Sequence, residues 1–136
     1  MTGSPQQGRL GWVIVYVERV SEAVELYEQA FGLRRAFIDD SGRYGQLDTG
    51  QTALAFVAES LAAENLPGGY RRADPLDPPV NIELCLVFDD VAAAYQHAVA
   101  CGCVPVADAK PKPWGQVVAY VRDPFGTLVE LASPMP

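Results

Sequence analysis

The chain has 136 residues, 49% of them hydrophobic and 20% charged, so one globular domain with a buried core is expected. Its net charge of −7 argues against a nucleic-acid partner, because binding phosphates requires clustered Lys and Arg. No apolar run is long enough for a membrane helix, so no membrane partner is expected. The first residues lack a basic segment followed by an apolar core, so we expect no secretory signal and a cytoplasmic protein.

The first part of the chain predicts a βαβββ module over residues 10–58, after a disordered lead-in over residues 1–9. Residues 10–17 are rich in β-branched side chains, which is typical of a strand. A helix should follow, with Ser21 as its N-cap and Gly32 as its C-cap. Its apolar stripe consists of Val20, Val24, Tyr27 and Phe31. Three short strands are predicted next, at residues 34–38, 44–48 and 52–57.

Residues 59–80 contain several Gly and Pro and are predicted to form no regular element. This segment is either a simple linker or a loop that covers a functional site. Arg71 and Arg72 lie within it, where they either face solvent or close over an anionic ligand.

Residues 81–132 predict a second βαβββ module. A strand over 81–88 leads into a helix, with the stripe Val91, Tyr95, Ala98 and Gly102. Further strands are predicted at residues 103–108, 116–121 and 127–131. The two modules also match in sequence, which indicates an internal repeat. Residues 16–20 match 87–91, and Tyr44-Gly45-Gln46 matches Trp114-Gly115-Gln116.

The second module ends in Arg-Asp-Pro-Phe-Gly-Thr-Leu-Val-Glu-Leu, residues 122–131. With the repeated order of elements, this ending resembles the glyoxalase / bleomycin-resistance / extradiol-dioxygenase superfamily, also called vicinal oxygen chelate proteins. The resemblance covers roughly residues 8–132. It implies an α+β fold in which two tandem βαβββ modules form a curved mixed sheet around a cleft, as one domain over residues 10–132. It also implies a homodimer.

Enzymes of this family usually hold one divalent metal, with ligands from the first and fourth strands of each module. Strand alternation directs Glu83 and Glu130 toward the cleft. The internal repeat matches Glu83 with Trp12, and it matches Glu130 with Ala55, or with Ala53 if the register slips. The resemblance therefore implies that two of the four metal positions carry no metal donor.

We consequently expect no cofactor and no tightly held catalytic metal, although two carboxylates could bind a divalent cation weakly. The single histidine, His97, is expected on an exposed helix face, which excludes the two-histidine site of an extradiol dioxygenase. Glu83 and Glu130 could act as acid and base, since facing carboxylates split their pKa values, or Glu130 could have a structural role alone. The cysteines are expected to be buried or incidental thiols: Cys85, Cys101 and Cys103.

Aromatic and amide side chains are expected on strands near the four metal positions: Tyr16, Tyr44, Gln46, Trp114 and Gln116. An aromatic cleft with acidic groups suits a small flat ligand that is cationic or rich in amides. The first hypothesis is therefore a small-molecule-binding protein without a tightly held metal. The second is a divergent lyase or isomerase that uses Glu83 and Glu130.

Overall fold

The computed structural model describes residues 3–136, and over these residues the chain forms eight strands and three helices. The first half contains β1 (Trp12–Val17), α1 (Val20–Phe31), β2 (Arg34–Ile38), β3 (Tyr44–Asp48) and β4 (Ala53–Ala58). The second contains α2 (Glu59–Asn65), β5 (Glu83–Val87), α3 (Val91–Ala100), β6 (Val104–Pro111), β7 (Val117–Arg122) and β8 (Leu128–Ala132). Of the predicted lead-in, residues 1 and 2 lie outside the described residues, and 3–9 form neither helix nor strand.

The strands pair into two four-stranded sheets with the same topology. Their orders are β1-β4-β3-β2 and β5-β8-β7-β6. In each sheet the first and fourth strands of the module are parallel neighbours, and the other pairs are antiparallel. The predicted α+β fold of two βαβββ modules is confirmed, with its strands divided between two hydrogen-bonded sheets.

Helix α1 packs closely on the first sheet. All four residues of its predicted stripe are buried, and Gly32 ends it in the left-handed conformation, with φ 68°. A Cβ at Gly45 of β3 would lie 2.8 Å from methyl carbons of both Val20 and Val24, so only glycine allows this approach. The predicted N-cap Ser21 is wrong, because the helix begins two residues earlier than that cap implies, at Val20, with Arg19 as an N-cap that makes no side-chain cap bond.

A buried hydrogen bond joins the two modules within one apolar core. The Tyr27 hydroxyl of α1 donates to Asp123 Oδ2 at 2.6 Å, and both residues are fully buried. The Asp123 carboxyl also accepts the backbone N–H groups of Phe125 and Thr127, which shapes the turn between β7 and β8. Helix packing in the first module and turn geometry in the second therefore depend on the same carboxyl group.

The segment between the modules departs from its prediction, because residues 59–65 form the helix α2. The sequence Glu-Ser-Leu-Ala-Ala-Glu-Asn has mostly good helix formers, and the helix-breaking residues begin only at Pro67. The rest of the segment is held to the second module by Arg122, whose guanidinium donates to the carbonyls of Asp74, Pro75 and Asp77. Over residues 3–136, none of the helices has the length and apolar character needed to cross a bilayer.

Candidate functional site

Each sheet has one face packed on the helices and an opposite face, here called the open face. On β1, Val13 and Val15 pack against the core, while Trp12, Ile14 and Tyr16 point to the open face. These three side chains are 55%, 48% and 37% exposed. Strand β1 therefore presents an accessible apolar and aromatic surface.

Strand pairing identifies the equivalent positions of the two open faces. Ile14 lies opposite Ala55 in the first sheet, and Cys85 lies opposite Glu130 in the second. Since Ile14 and Cys85 each lie two residues beyond Trp12 and Glu83, Ala55 and not Ala53 corresponds to Glu130.

Glu130 is the centre of a polar cluster on the second open face. Its Oε1 accepts a hydrogen bond from the Tyr120 hydroxyl at 2.9 Å, and its Oε2 accepts one from Cys85 Sγ at 3.3 Å. The Glu83 carboxyl is a diagonal neighbour across the β5–β8 pair and lies close enough to Glu130 for the two groups to share a proton. We call these four residues the Glu130 cluster.

The cluster gives its two carboxyl groups different proton affinities. The hydrogen bond to Glu130, with desolvation and charge repulsion, raises the pKa of Glu83 to about 7. Desolvation opposes ionisation of Glu130, but hydrogen bonds from Glu83, Tyr120 and Cys85 outweigh it and lower the pKa of Glu130. Below about pH 7 the pair therefore holds one proton, on Glu83, and Glu130 carries the negative charge, whereas above about pH 7 both carboxyl groups are ionised.

Tyr120 and Cys85 are members of the cluster that the sequence analysis missed. Desolvation and the bond to Glu130 raise the pKa of each to about 12, so both stay protonated and act as donors. Of the three thiols that were predicted to be buried or incidental, Cys103 is buried, Cys101 is half-buried and Cys85 is exposed on the open face. The alternation of β7, with Ala119 and Val121 buried on the helix side, indicates only that Tyr120 faces the open side, and the strand register then places it beside Glu130.

The first open face has a neutral counterpart of this cluster. Gln46 Oε1 accepts hydrogen bonds from Trp12 Nε1 at 3.2 Å and from the Tyr44 hydroxyl at 2.8 Å. Because β4 lies between β1 and β3, the bond from Trp12 to Gln46 crosses over β4, where Ala55 is fully buried. Trp12, Tyr44, Gln46 and Ala55 are therefore brought together, as an aromatic surface rather than a charged one.

Trp114 and Gln116 do not join either cluster, and their predicted strand positions are wrong. Pro111 ends β6, Gly115 has a φ of 101° in the turn, and β7 begins only at Val117. Trp114 Nε1 donates to Gln116 Oε1 at 2.7 Å, and Gln116 Nε2 donates to the carbonyl of Ser133. The sequence match between residues 44–46 and 114–116 therefore does not mark equivalent positions in the two sheets. Gln46 pairs with Ala55, and Tyr120 pairs with Glu130, so Tyr120 is the structural equivalent of Gln46.

A cavity of about 230 Å³ lies where β1 and β5 approach each other. Its wall is mainly apolar and includes one member of the Glu130 cluster, Glu83. The lining residues are Val13, Ile14, Val15, Tyr16, Tyr70, Arg71, Ala73, Val80, Ile82, Glu83, Leu84 and Thr127. A second cavity of about 200 Å³ lies beyond Tyr16, but its charged side chains Glu59 and Arg72 already bind each other. The first cavity is therefore the better candidate site.

The donor set around this site does not suit a transition-metal ion. The positions of Trp12 and Ala55 supply no ligand atom, and Glu83 and Glu130 are hydrogen-bonded to each other. Within residues 3–136, no three His, Cys, Asp or Glu side chains are arranged to hold a metal ion. His97 is exposed on α3, and its Nε2 contacts the carbonyl of Gln29 at 2.8 Å.

These features define a small α+β protein with two repeated modules and a cavity between β1 and β5. The family model for the Glyoxalase/Bleomycin resistance protein/Dioxygenase superfamily matches residues 9–131. The chain therefore belongs to this superfamily, which confirms the predicted family resemblance. Comparison with the curated proteins gives no match.

Several solved structures have a similar fold. A glyoxalase-related enzyme from Fulvimarina pelagi is 19% identical with a TM-score of 0.79, covering 94% of this chain and 89% of that one. A family enzyme from Burkholderia phytofirmans PsJN is 18% identical with a TM-score of 0.77, covering 93% and 98%. TioX from Micromonospora sp. ML1 is 22% identical with a TM-score of 0.68, also covering 93% and 98%. At these identities the likeness establishes the fold alone.

Proposed function

We propose that the protein binds a small molecule with a flat, apolar body and a cationic group, in the cavity between β1 and β5. The observation that carries this proposal is the composition of the cavity wall, which combines apolar and aromatic side chains with the carboxyl group of Glu83. Apolar walls with a few polar groups are typical of small-molecule sites. The adjacent Glu130 adds negative charge that favours a cation.

The size of the cavity limits the ligand. Sites for drug-sized molecules usually measure roughly 300–1,000 Å³, whereas this cavity measures about 230 Å³. The proposed ligand is therefore about the size of a substituted benzene ring, and a large glycopeptide antibiotic is disfavoured. The proposal requires no tightly held metal, and any divalent cation at Glu83 and Glu130 would be bound weakly.

Calorimetry with a defined probe tests this proposal. At pH 8, where Glu83 is ionised, we expect 4-(aminomethyl)benzamide, a flat aromatic cation, to bind the protein, and Glu83→Gln to weaken binding about fivefold, as for an exposed charge pair. Glu25→Gln is the matched control, because it removes the same charge from an exposed position on α1. Equal affinity of the two variants, or no binding by the unmodified protein at millimolar probe, would contradict the proposal.

A second candidate function is a lyase or isomerase reaction in which Glu83 and Glu130 exchange protons with a carbonyl substrate. The observation that favours it is the pKa of about 7 at Glu83, since a general base works best with a pKa near the operating pH. Proton NMR in deuterated buffer tests it, with hydroxyacetone as the probe. We expect enzyme-dependent loss of the proton signals next to the carbonyl, and no loss beyond the buffer rate in Glu83→Gln. Exchange at the buffer rate with the unmodified protein would exclude proton abstraction from this probe.

A further inference from the structure

Arg71 lies between two linker residues that are both held in place. The Tyr70 hydroxyl donates to Glu59 at 3.1 Å, and the Arg72 guanidinium donates to both oxygens of the same carboxylate, at 2.6 and 2.9 Å. The Tyr70 ring also packs on Tyr16 of β1, with ring centroids 4.8 Å apart. The backbone of Arg71 is therefore fixed against the cavity from both sides.

The side chain of Arg71 has no such partner. Within residues 3–136 it forms no salt bridge and no side-chain hydrogen bond, whereas Arg72 is paired with Glu59 and Arg122 with linker carbonyls. Arg71 is exposed and lines the cavity. It is the one cationic side chain among the lining residues, and Glu83 is the one anionic one.

Among the described residues, Arg71 forms no salt bridge with Glu83. Above about pH 7, where Glu83 is ionised, the cavity therefore has two separate charged groups of opposite sign, with apolar side chains such as Ile14 and Ile82 also on its wall. A guanidinium binds a carboxylate through two parallel hydrogen bonds, which gives orientation as well as affinity. The hydroxyl-bearing Thr127 also lines this cavity.

We propose that Arg71 binds a carboxylate of the ligand, so that the preferred ligand is a zwitterion with its cationic group at Glu83. This inference rests on the proposed function and names its ligand class more closely. A flat body suits the apolar side chains that share the cavity wall with Arg71 and Glu83. Arg71 is then the residue that determines whether an anionic group is accepted.

A matched pair of probes separates this inference from the proposed function. The two compounds, 4-(aminomethyl)benzoate and 4-(aminomethyl)benzamide, share the ring and the ammonium and differ only in the carboxylate. By calorimetry we expect the benzoate to bind the unmodified protein about tenfold more tightly, the effect of one charge-assisted hydrogen-bonding pair. In Arg71→Gln that preference should disappear.

Arg34→Gln is the control, because it removes the same charge from β2, where Arg34 has a side chain 83% exposed. This control should keep the tenfold preference. If both probes bind but Arg71→Gln keeps the preference, or the unmodified protein has none, the inference is wrong and the proposed function stands. If neither probe binds the unmodified protein at millimolar concentration, the proposed function and the inference both fail.

Discussion

At the scale of single residues, one carboxylate determines the chemistry of the second open face. Glu130 accepts hydrogen bonds from Tyr120, Cys85 and Glu83, which come from strands on both sides of β8. The sequence predicted Glu83 and Glu130 from alternation and from the repeat. It could not predict the other donors, because their approach depends on the register of β7 and β5 against β8.

The raised pKa of Glu83 makes folding stability depend on pH. In the unfolded chain this carboxyl loses its proton near its ordinary value of 4.5, whereas the folded state keeps the proton until about pH 7. The stabilising contribution is therefore full below 4.5 and is lost as the pH rises through about 7. Between pH 5 and pH 8, Glu83→Gln should therefore lose less unfolding free energy than the unmodified protein, as measured by urea denaturation.

The amide in Glu83→Gln is neutral at both pH values and can still donate to Glu130. Glu64→Gln, on α2 outside the Glu130 cluster, is the control and should leave the loss between pH 5 and 8 as it is. An NMR titration that places the Glu83 pKa near 4.5 would contradict the shared proton directly.

The buried hydroxyl of Tyr27 makes a separate prediction about stability. Tyr27→Phe removes one of the donors to the fully buried Asp123 carboxyl, so we expect unfolding to become easier by about 2 kcal/mol. Tyr44→Phe removes a hydroxyl bonded to the amide of Gln46, which keeps its bond from Trp12, and should cost less than about 1 kcal/mol. If urea denaturation shows equal losses of unfolding free energy in the two variants, the buried bond between Tyr27 and Asp123 contributes no more than the bond between Tyr44 and Gln46.

At the scale of elements, the sequence predicted best where burial follows one simple period. The stripe of α1 was predicted because it faces the core along its whole length, and Glu130 was directed to the cleft because its neighbours on β8, Val129 and Leu131, are apolar and pack in the core. Helix α2 was missed because the Gly and Pro of the neighbouring residues dominated the prediction. The turn that contains Trp114 was taken for a strand because its short motif repeats that of β3, although proline and a glycine with positive φ prevent a strand there.

The close packing of α1 on β3 predicts a large effect of a single methyl group. Gly45→Ala would place Cβ 2.8 Å from methyl carbons of Val20 and Val24, so we expect a loss of about 1–3 kcal/mol. Gly11→Ala adds the same group just before β1, where no atom lies within 4 Å, and should change stability by less than about 0.5 kcal/mol. Thermal unfolding of the two variants makes the comparison, and a stable Gly45→Ala protein would mean that α1 shifts without cost.

At the scale of the whole molecule, apolar side chains remain exposed at the outer edges of both sheets. Phe37 of β2 and Val104 and Val106 of β6 are half-exposed, and such edges are commonly covered by another chain. We propose the homodimer that the family resemblance implies. Sedimentation equilibrium should give twice the mass of one chain, and a Val104→Asp, Val106→Asp variant should sediment as a monomer.

The control for this variant is Leu76→Asp, in the exposed linker, which should remain dimeric. One-chain mass for the unmodified protein at all concentrations would rule out the homodimer.

At this scale the sequence predicted the family fold, since two βαβββ modules follow from the repeat. The cavity was not predictable, because its wall combines β1, β5 and the linker, whose approach no local pattern encodes.

Mapping the bound probe by NMR tests the proposed site most directly. The ¹⁵N-labelled protein is titrated with 4-(aminomethyl)benzamide, and the amide shifts are followed residue by residue. Binding in the cavity predicts the largest shifts at Ile14, Tyr16, Ile82 and Glu83, which line it. Largest shifts at the Trp114 turn or along the exposed side of α3, or no shifts at millimolar probe, would contradict a binding site between β1 and β5.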